Sequence, residues 1–140
     1  MGPIDWVLIE FSGPLTGKAA PPLLDLVDRG LIRVLDIMFI AKHDDGSVEA
    51  IEIENMPGDE AVHVSVFEGA GTGLLGEDDL DAAGGVLEPG TRAIMLVYEN
   101  SWAAPFAKAI REGGGQLVDS GRIPVQSILA TLEELEAESA

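Results

Sequence analysis

Two apolar runs rich in β-branched residues, separated by a short polar turn, form the clearest pattern in the chain. They occupy residues 31–55, and the turn between them is Asp44-Asp45-Gly46. Gly46 can adopt the positive φ that a type I turn with a G1 bulge, or a type I′ turn, requires, while the aspartates can hydrogen-bond the turn backbone. The pattern predicts a β-hairpin with strands over 32–43 and 48–55.

The other elements follow from hydrophobic periodicity and from residues that end helices or strands. Alternation predicts a strand over 4–11, and apolar residues on both faces predict a central strand over 91–99. Apolar helical faces bounded by glycine or proline predict helices, and a short apolar run predicts a last strand. The helices are 18–29, 77–87, 101–112 and 124–137, and the last strand is 116–120. Within the less legible segment 59–76, residues 61–67 fit either a strand or a short helix.

This element order, β-α-β-β-α-β followed by α-β-α, predicts an α+β fold. The second and third strands form the hairpin, whereas the first and fourth need helical crossovers, as in a ferredoxin-like split βαβ sandwich. The last helix, strand and helix form a C-terminal α-β-α extension. With 140 residues the chain has the size of one domain, so we expect a single domain over 1–140.

Four stretches of the chain carry a resemblance to a family of proteins. They are GPIDWVLIEF, GLIRVLDIMFIAKHDDGSVEAIEIE, GLLGEDDLDAAGGVLEPGTRAIMLVYENSWAAPFAKAIREGGGQLVDSGRIP and the acidic last helix. Together they resemble a family of small acidic actinobacterial proteins of unknown function. That family is similar in layout to a wider bacterial group of unknown function, which has a longer Gly/Ala-rich apolar stretch where residues 69–76 lie here. The resemblance implies a fold and brings no activity or catalytic residue with it.

Charge and composition exclude several kinds of partner and site. Twenty-five acidic and eight basic side chains give a net charge of −17, which repels nucleic acid and anionic membrane surfaces. The absence of cysteine excludes disulfides, thiolate zinc sites and cysteine nucleophiles, and it agrees with a reducing compartment. The apolar runs are far shorter than the roughly 20 residues of a membrane-spanning helix, and the N-terminus resembles a strand rather than a signal peptide. We therefore expect a cytoplasmic protein with no nucleic-acid partner and no membrane insertion.

Motifs for cofactors and metals are present only in part. Residues 71–76 have the form G-x-G-x-x-G, but no clear strand precedes them, and Glu77, Asp78 and Asp79 follow where phosphate oxygens would lie. The acidic clusters do not have the ligand spacing of an EF-hand, and the two histidines, His43 and His63, are too few for a histidine-rich zinc site. The sequence thus predicts no cofactor and no metal.

Catalytic chemistry has weak support in the sequence. No serine lies in a G-x-S-x-G nucleophile elbow, and no catalytic residue is predicted. Glu52 and Glu54 share one face of the predicted third strand, where a pair of carboxylates can act as acid and base. Acids within strands can be partly buried, which raises their pKa and marks a site. The pocket candidates are Trp6, Glu10, Asp36, Tyr98, Glu99 and Trp102.

Two hypotheses for function follow. The favoured one is a non-enzymatic protein that acts through protein contacts, either as a homo-oligomer or with a regulatory partner, through an edge strand or the C-terminal helix. That helix carries an apolar stripe that must be buried against something, formed by Val125, Ile128, Leu129, Leu132 and Leu135. The alternative is a small-ligand or metal-binding protein, or an enzyme, with a pocket of carboxylates and aromatic side chains.

Overall fold

The structure, a computed structural model, describes residues 1–56, 58, 61, 65–67 and 69–139. The chain divides into two compact units, Met1–Ala109 and Ile110–Ala140. A single domain over 1–140 stays a prediction. The strands are β1 (Ile4–Phe11), β2 (Arg33–Lys42), β3 (Val48–Ala50) and β4 (Thr91–Glu99). The helices of eight or more residues are α1 (Ala20–Asp28), α2 (Glu77–Gly84), α3 (Ala104–Glu112) and α4 (Val125–Ser139).

The four strands form one antiparallel sheet in the order β1-β4-β2-β3. The prediction that 91–99 is a central strand is confirmed, because β4 lies between β1 and β2. The two strands joined by each crossover connection are not neighbours in the sheet: β4 lies between β1 and β2, and β2 lies between β3 and β4. The mixed α+β architecture is therefore present, whereas its ferredoxin-like details are not confirmed.

Two hydrophobic clusters lie on opposite faces of this sheet, because successive strand residues alternate between faces. In the first cluster, Ala20 of α1 packs with Ile37, Phe39 and Leu96. In the second, side chains of α2 and of the segment after it pack on the other face of the same strands, and its buried members are Ile40, Ala83, Leu87, Ala93 and Met95. Helices thus cover both faces of the sheet.

The hairpin turn is a type I turn with a G1 bulge, the first of the two predicted geometries. The N–H of Gly46 donates to the His43 carbonyl at 3.0 Å, the N–H of His43 donates to the Ser47 carbonyl at 2.8 Å, and Gly46 has φ +90°. No described residue other than glycine has a positive φ, which excludes a type I′ turn at the aspartates. The hydroxyl and the backbone N–H of Ser47 both donate to Asp45, and these hydrogen bonds, that from the hydroxyl most, lower the pKa of the Asp45 carboxyl.

Two predicted strands differ from the structure. β3 ends at Ala50, well before the expected residue 55, because the chain leaves β2 and forms a 3-10 turn over Ile53–Asn55. Residues 116–120 form no strand: no described strand pairs with them, and Leu117 and Val118 are exposed. A strand needs a partner for its backbone, so the predicted α-β-α extension consists here of α3, an irregular segment and α4.

The other predicted helices and strands are confirmed, with small differences at their ends. In the segment predicted as either strand or helix, residues 62–64, including His63, lie outside the described residues. Its described part contains a 3-10 turn over Ser65–Phe67.

Candidate functional site

A cleft of about 670 Å³ lies beside β2. One wall is formed by Asp36–Phe39 of β2, and the facing wall by residues 50–54. The rest of the lining comes from Phe67 and from the glycine-rich loop, which we define as residues 69–76. The cleft therefore forms where β3 ends and the chain diverges from β2.

The glycine-rich loop is bound to β2 through a buried carboxylate. Asp36, only 2% exposed, follows an irregularity in the pairing of β2 with β4. One carboxylate oxygen, Oδ1, accepts the N–H groups of Ile37 and Thr72, both at 2.8 Å, and Oδ2 accepts the N–H of Leu75 at 2.6 Å. The Thr72 hydroxyl donates to the Leu35 carbonyl at 2.7 Å. Asp36 thus holds the loop against the strand.

These contacts explain the G-x-G-x-x-G motif without a nucleotide. In a dinucleotide site the backbone N–H groups of such a loop bind phosphate oxygens. Here the N–H groups of Thr72 and Leu75 bind Asp36, and the N–H of Gly76 donates to Asp79 at 2.8 Å. Gly73 has φ +83°, so the loop needs glycine there for its backbone conformation. Side chains of the protein therefore occupy the donors that a phosphate would use.

The cleft combines apolar side chains with acidic groups. Phe39 and Phe67 pack against each other with ring centroids 6.3 Å apart. Glu52 and Glu54 are exposed on the wall that follows β3. No lysine or arginine is among the described residues that line the cleft. The cleft thus has apolar contacts and net negative charge.

A second buried carboxylate, Glu99, lies at the end of β4. Its Oε2 accepts the backbone N–H of Gly2 at 2.6 Å, and its Oε1 accepts the Arg33 Nε–H at 3.0 Å. The hydrogen bond from Gly2 lowers the pKa of the Glu99 carboxyl most, and the charge of Arg33 lowers it further, whereas burial opposes both effects. Gly2 itself fits closely, because a Cβ there would collide with the Asn100 carbonyl. Glu99 therefore ties the start of β2 to the segment before β1.

The predicted pocket residues do not converge on one cavity. Asp36 lines the cleft, Glu99 is hydrogen-bonded to Arg33 outside it, and Tyr98 packs against the first hydrophobic cluster. The other three are exposed, and Trp6 is 68% exposed. Glu10 accepts the Glu88 N–H at 2.8 Å, and the Trp102 Nε1–H donates to Asn100 at 3.4 Å.

Sequence reasoning singled out Glu52 and Glu54 as a pair but placed them on a strand. The structure places both in the cleft, after the end of β3. It also adds Ile51 and Phe67 to the lining, and nothing in the sequence marks these apolar residues as different from core residues. Only the early end of β3 reveals them.

β1 forms the other candidate surface. Odd-numbered residues near the end of β2 direct their backbone groups towards β3, since the Ile51 N–H donates to the Phe39 carbonyl at 2.8 Å. The even-numbered Ile40 therefore points its backbone groups towards β4, where it lies opposite Ala93. The next residue of β4, Ile94, points its backbone groups towards β1 and lies opposite Ile9, so the backbone groups of Ile9 point towards β4. The alternate residues of β1 therefore direct their N–H and C=O groups away from the sheet, and they are Ile4, Trp6, Leu8 and Glu10. No described strand pairs with this side.

In the described part of the chain, no three His, Asp or Glu side chains are grouped so as to hold a metal ion. None of its helices combines the length and the apolar character needed to cross a membrane.

No curated protein and no solved structure matches the chain. The chain does match a family of unknown function, DUF6325, over residues 1–140. The match extends over all the elements described above, and we conclude that the chain belongs to this family.

Proposed function

We propose that this protein acts through protein contacts by pairing the edge of β1 with β1 of a second copy. The observation that carries the proposal is an unbroken eight-residue edge strand with one row of backbone donors and acceptors directed outwards. Proteins usually block such an edge with proline, lysine, a bulge or a covering segment. Within β1 there is no proline, no lysine and no shift of register against β4.

The side chains of β1 support pairing with a copy of itself. Ile4 and Trp6 are large apolar side chains that are 51% and 68% exposed. In an antiparallel pair of identical strands, residues with outward backbone groups must face each other. A register centred on Val7 satisfies this condition, because it sets Trp6 opposite Leu8 of the second copy and Ile4 opposite Glu10.

This register also avoids contacts between like charges. Asp5 and Glu10 are the charged residues of β1, and the register sets Asp5 opposite Ile9 and Glu10 opposite Ile4 of the second copy. Like charges directly opposite each other destabilise a strand pair, so their separation favours this pairing. A two-fold axis through Val7 relates the two copies and closes the assembly as a dimer.

Two further features of the sequence bear on the proposal. Each copy has a net charge of −17, so the copies repel each other over long range at low salt.

We further propose a cytoplasmic location, which the absence of cysteine supports.

Sedimentation velocity of the full chain at low and high ionic strength tests the proposal. Wild type is expected to dimerise, and more strongly at high salt. Trp6→Pro removes an N–H that points away from the sheet, so β1 should remain paired with β4 while the dimer is lost. Trp6→Val keeps the N–H and should retain most of the dimer. Circular dichroism checks that both variants are folded.

Two control variants locate the contact. Ala50→Pro changes the opposite edge of the sheet and should leave the dimer intact. Leu132→Glu disrupts the apolar stripe of α4, whose side chains are exposed in the C-terminal unit, and should also leave the dimer intact. A dimer that survives Trp6→Pro, or is lost only in Leu132→Glu, contradicts pairing through β1. A wild type that is monomeric at every concentration and salt level contradicts self-association altogether.

A further inference from the structure

We infer that the cleft beside β2 binds a small organic ammonium ion, such as a short aliphatic diamine. Its volume of about 670 Å³ falls within the range of small-molecule sites. The site lies at the β3 side of the sheet, away from the edge of β1, and does not depend on the pairing proposed above.

The charge of the cleft identifies a cation as the ligand. Glu52 and Glu54 lie on the same wall, two positions apart, and both are exposed. Asp36 is already bonded to three N–H groups, so the two glutamates are the carboxylates best placed to accept hydrogen bonds from an ammonium group. The absence of lysine and arginine from the described lining leaves this charge without a basic neighbour in the cleft.

The apolar part of the lining identifies the cation as organic. Ile37, Ile51 and Leu75 line the cleft together with Phe67. These side chains can contact methylene groups, which a hydrated metal ion lacks. In the described residues no three acidic or histidine side chains are grouped for a metal, and the volume is far larger than one ion requires. An aliphatic chain with one or two ammonium groups fits both parts of the lining.

Isothermal titration calorimetry of the full chain with 1,4-diaminobutane tests the inference. Ionic strength is held constant, because a chain of charge −17 attracts any cation. We expect saturable binding of the diamine and none of 1,4-butanediol, which has a similar length and no charge. Magnesium chloride at matched ionic strength should not displace the diamine.

Variants then place the diamine in the cleft. The double variant Glu52→Gln, Glu54→Gln should bind it at least about tenfold more weakly, the change expected when a charge-assisted hydrogen bond is lost. Glu133→Gln, Glu136→Gln removes the same number of charges from exposed positions of α4 and should bind it as wild type does.

A third variant fills the cleft without changing its charge. Gly71 lines the cleft and has no positive φ, and a Cβ there would lie 3.8 Å from its nearest neighbour, an ordinary contact. Circular dichroism checks that Gly71→Leu is folded, and the folded variant should lose diamine binding. If Gly71→Leu is unfolded, the glutamate variants decide.

Several outcomes would overturn the inference. Equal weakening in the two double variants shows general attraction to a negative surface. Equal binding of the diol shows that the ammonium groups are not recognised, and displacement by magnesium shows a site for any cation. The absence of saturable binding excludes the site.

Discussion

The two edges of the sheet differ in how they are protected. At one edge, β3 is only three residues long, and α2 packs so closely that a Cβ at Gly84 would lie 3.0 Å from the Val48 methyl groups. Where β3 ends, the glycine-rich loop is hydrogen-bonded to β2 through Asp36 and Leu35. At the other edge, β1 continues for eight residues with an unbroken register to β4, and no described strand covers it.

The difference shows that the two edges of one small sheet can be protected to different extents against pairing with another chain. A short strand, a covering loop and a nearby helix each reduce the chance that an edge pairs with another chain. The β3 side has all three, whereas β1 has only its two acidic residues. The early end of β3 leaves part of β2 to be covered by the glycine-rich loop, and it also creates the cleft. Protection of one edge and formation of the cleft therefore have one structural origin.

The largest expected effect comes from removing the side chain that holds the covering loop. Asp36→Ala leaves the buried N–H of Ile37 and the part-buried N–H groups of Thr72 and Leu75 without their acceptor. A buried unpaired donor costs about 1–3 kcal/mol, and a donor that water can reach costs less. We expect the free energy of unfolding in urea to fall by about 3 kcal/mol or more. Sedimentation should show new association through the uncovered side of β2.

Asp28→Ala is the matched control, because Asp28 is an exposed aspartate at the end of α1. Its free energy of unfolding should stay within about 0.5 kcal/mol of wild type. Equal stability of the two variants would mean that Asp36 does not hold the loop.

A smaller effect is expected from the turn that brings β3 back to β2. Gly46→Val forces a β-branched residue into φ +90° and should lower the free energy of unfolding by about 1–3 kcal/mol in urea denaturation. Gly46→Asn should lose less, because asparagine tolerates a positive φ better. Gly13→Val is the control, since Gly13 has no positive φ and a Cβ there meets nothing within 4 Å. An unchanged Gly46→Val would show that the turn has a different conformation in solution.

The smallest effect concerns the anchoring of β1, and it depends on pH. The pKa of Glu99 is lowered in the folded protein, so the folded state favours the ionised form. Its contribution to stability is complete above the pKa of the unfolded chain and is lost as pH falls through the lower folded value. Thermal unfolding between neutral and acidic pH should therefore show a loss of stability at acidic pH that is smaller in Glu99→Gln.

The pKa of Asp45 is also lowered, so Asp45 adds a loss of stability at acidic pH both in wild type and in Glu99→Gln. Only the difference between the two stability curves therefore reports on Glu99. Glu134→Gln, an exposed position of α4, should follow the wild-type curve. Parallel curves for wild type and Glu99→Gln would mean that Glu99 does not stabilise the ionised state.

Local patterns in the sequence predict most of the elements correctly. Alternation identifies β1 and β4, and the Asp-Asp-Gly signal identifies the hairpin turn, because these features depend on side chains a few residues apart. The same reasoning fails at 116–120, where a short apolar run resembles a strand but has no partner to pair with. It also extends β3 too far, because an apolar alternation does not reveal where neighbouring chains separate.

The role of Asp36 illustrates why the candidate site was only partly predictable. Its position within a strand indicated possible burial, and the glycine motif was visible 35 residues later at Gly71. Nothing in the sequence links the two, because the contact is made across the fold by backbone N–H groups that every residue except proline carries.

By itself, the sequence determined the mixed α+β character, the hairpin turn, the central position of 91–99 and the strongly negative charge, all of which follow from composition and short-range periodicity. Only the tertiary structure decided the strand order, the covered β3 side, the cleft with Glu52 and Glu54, and the open edge of β1. These features depend on which distant segments lie side by side, and that is set by the packing of the two faces of the sheet as a whole.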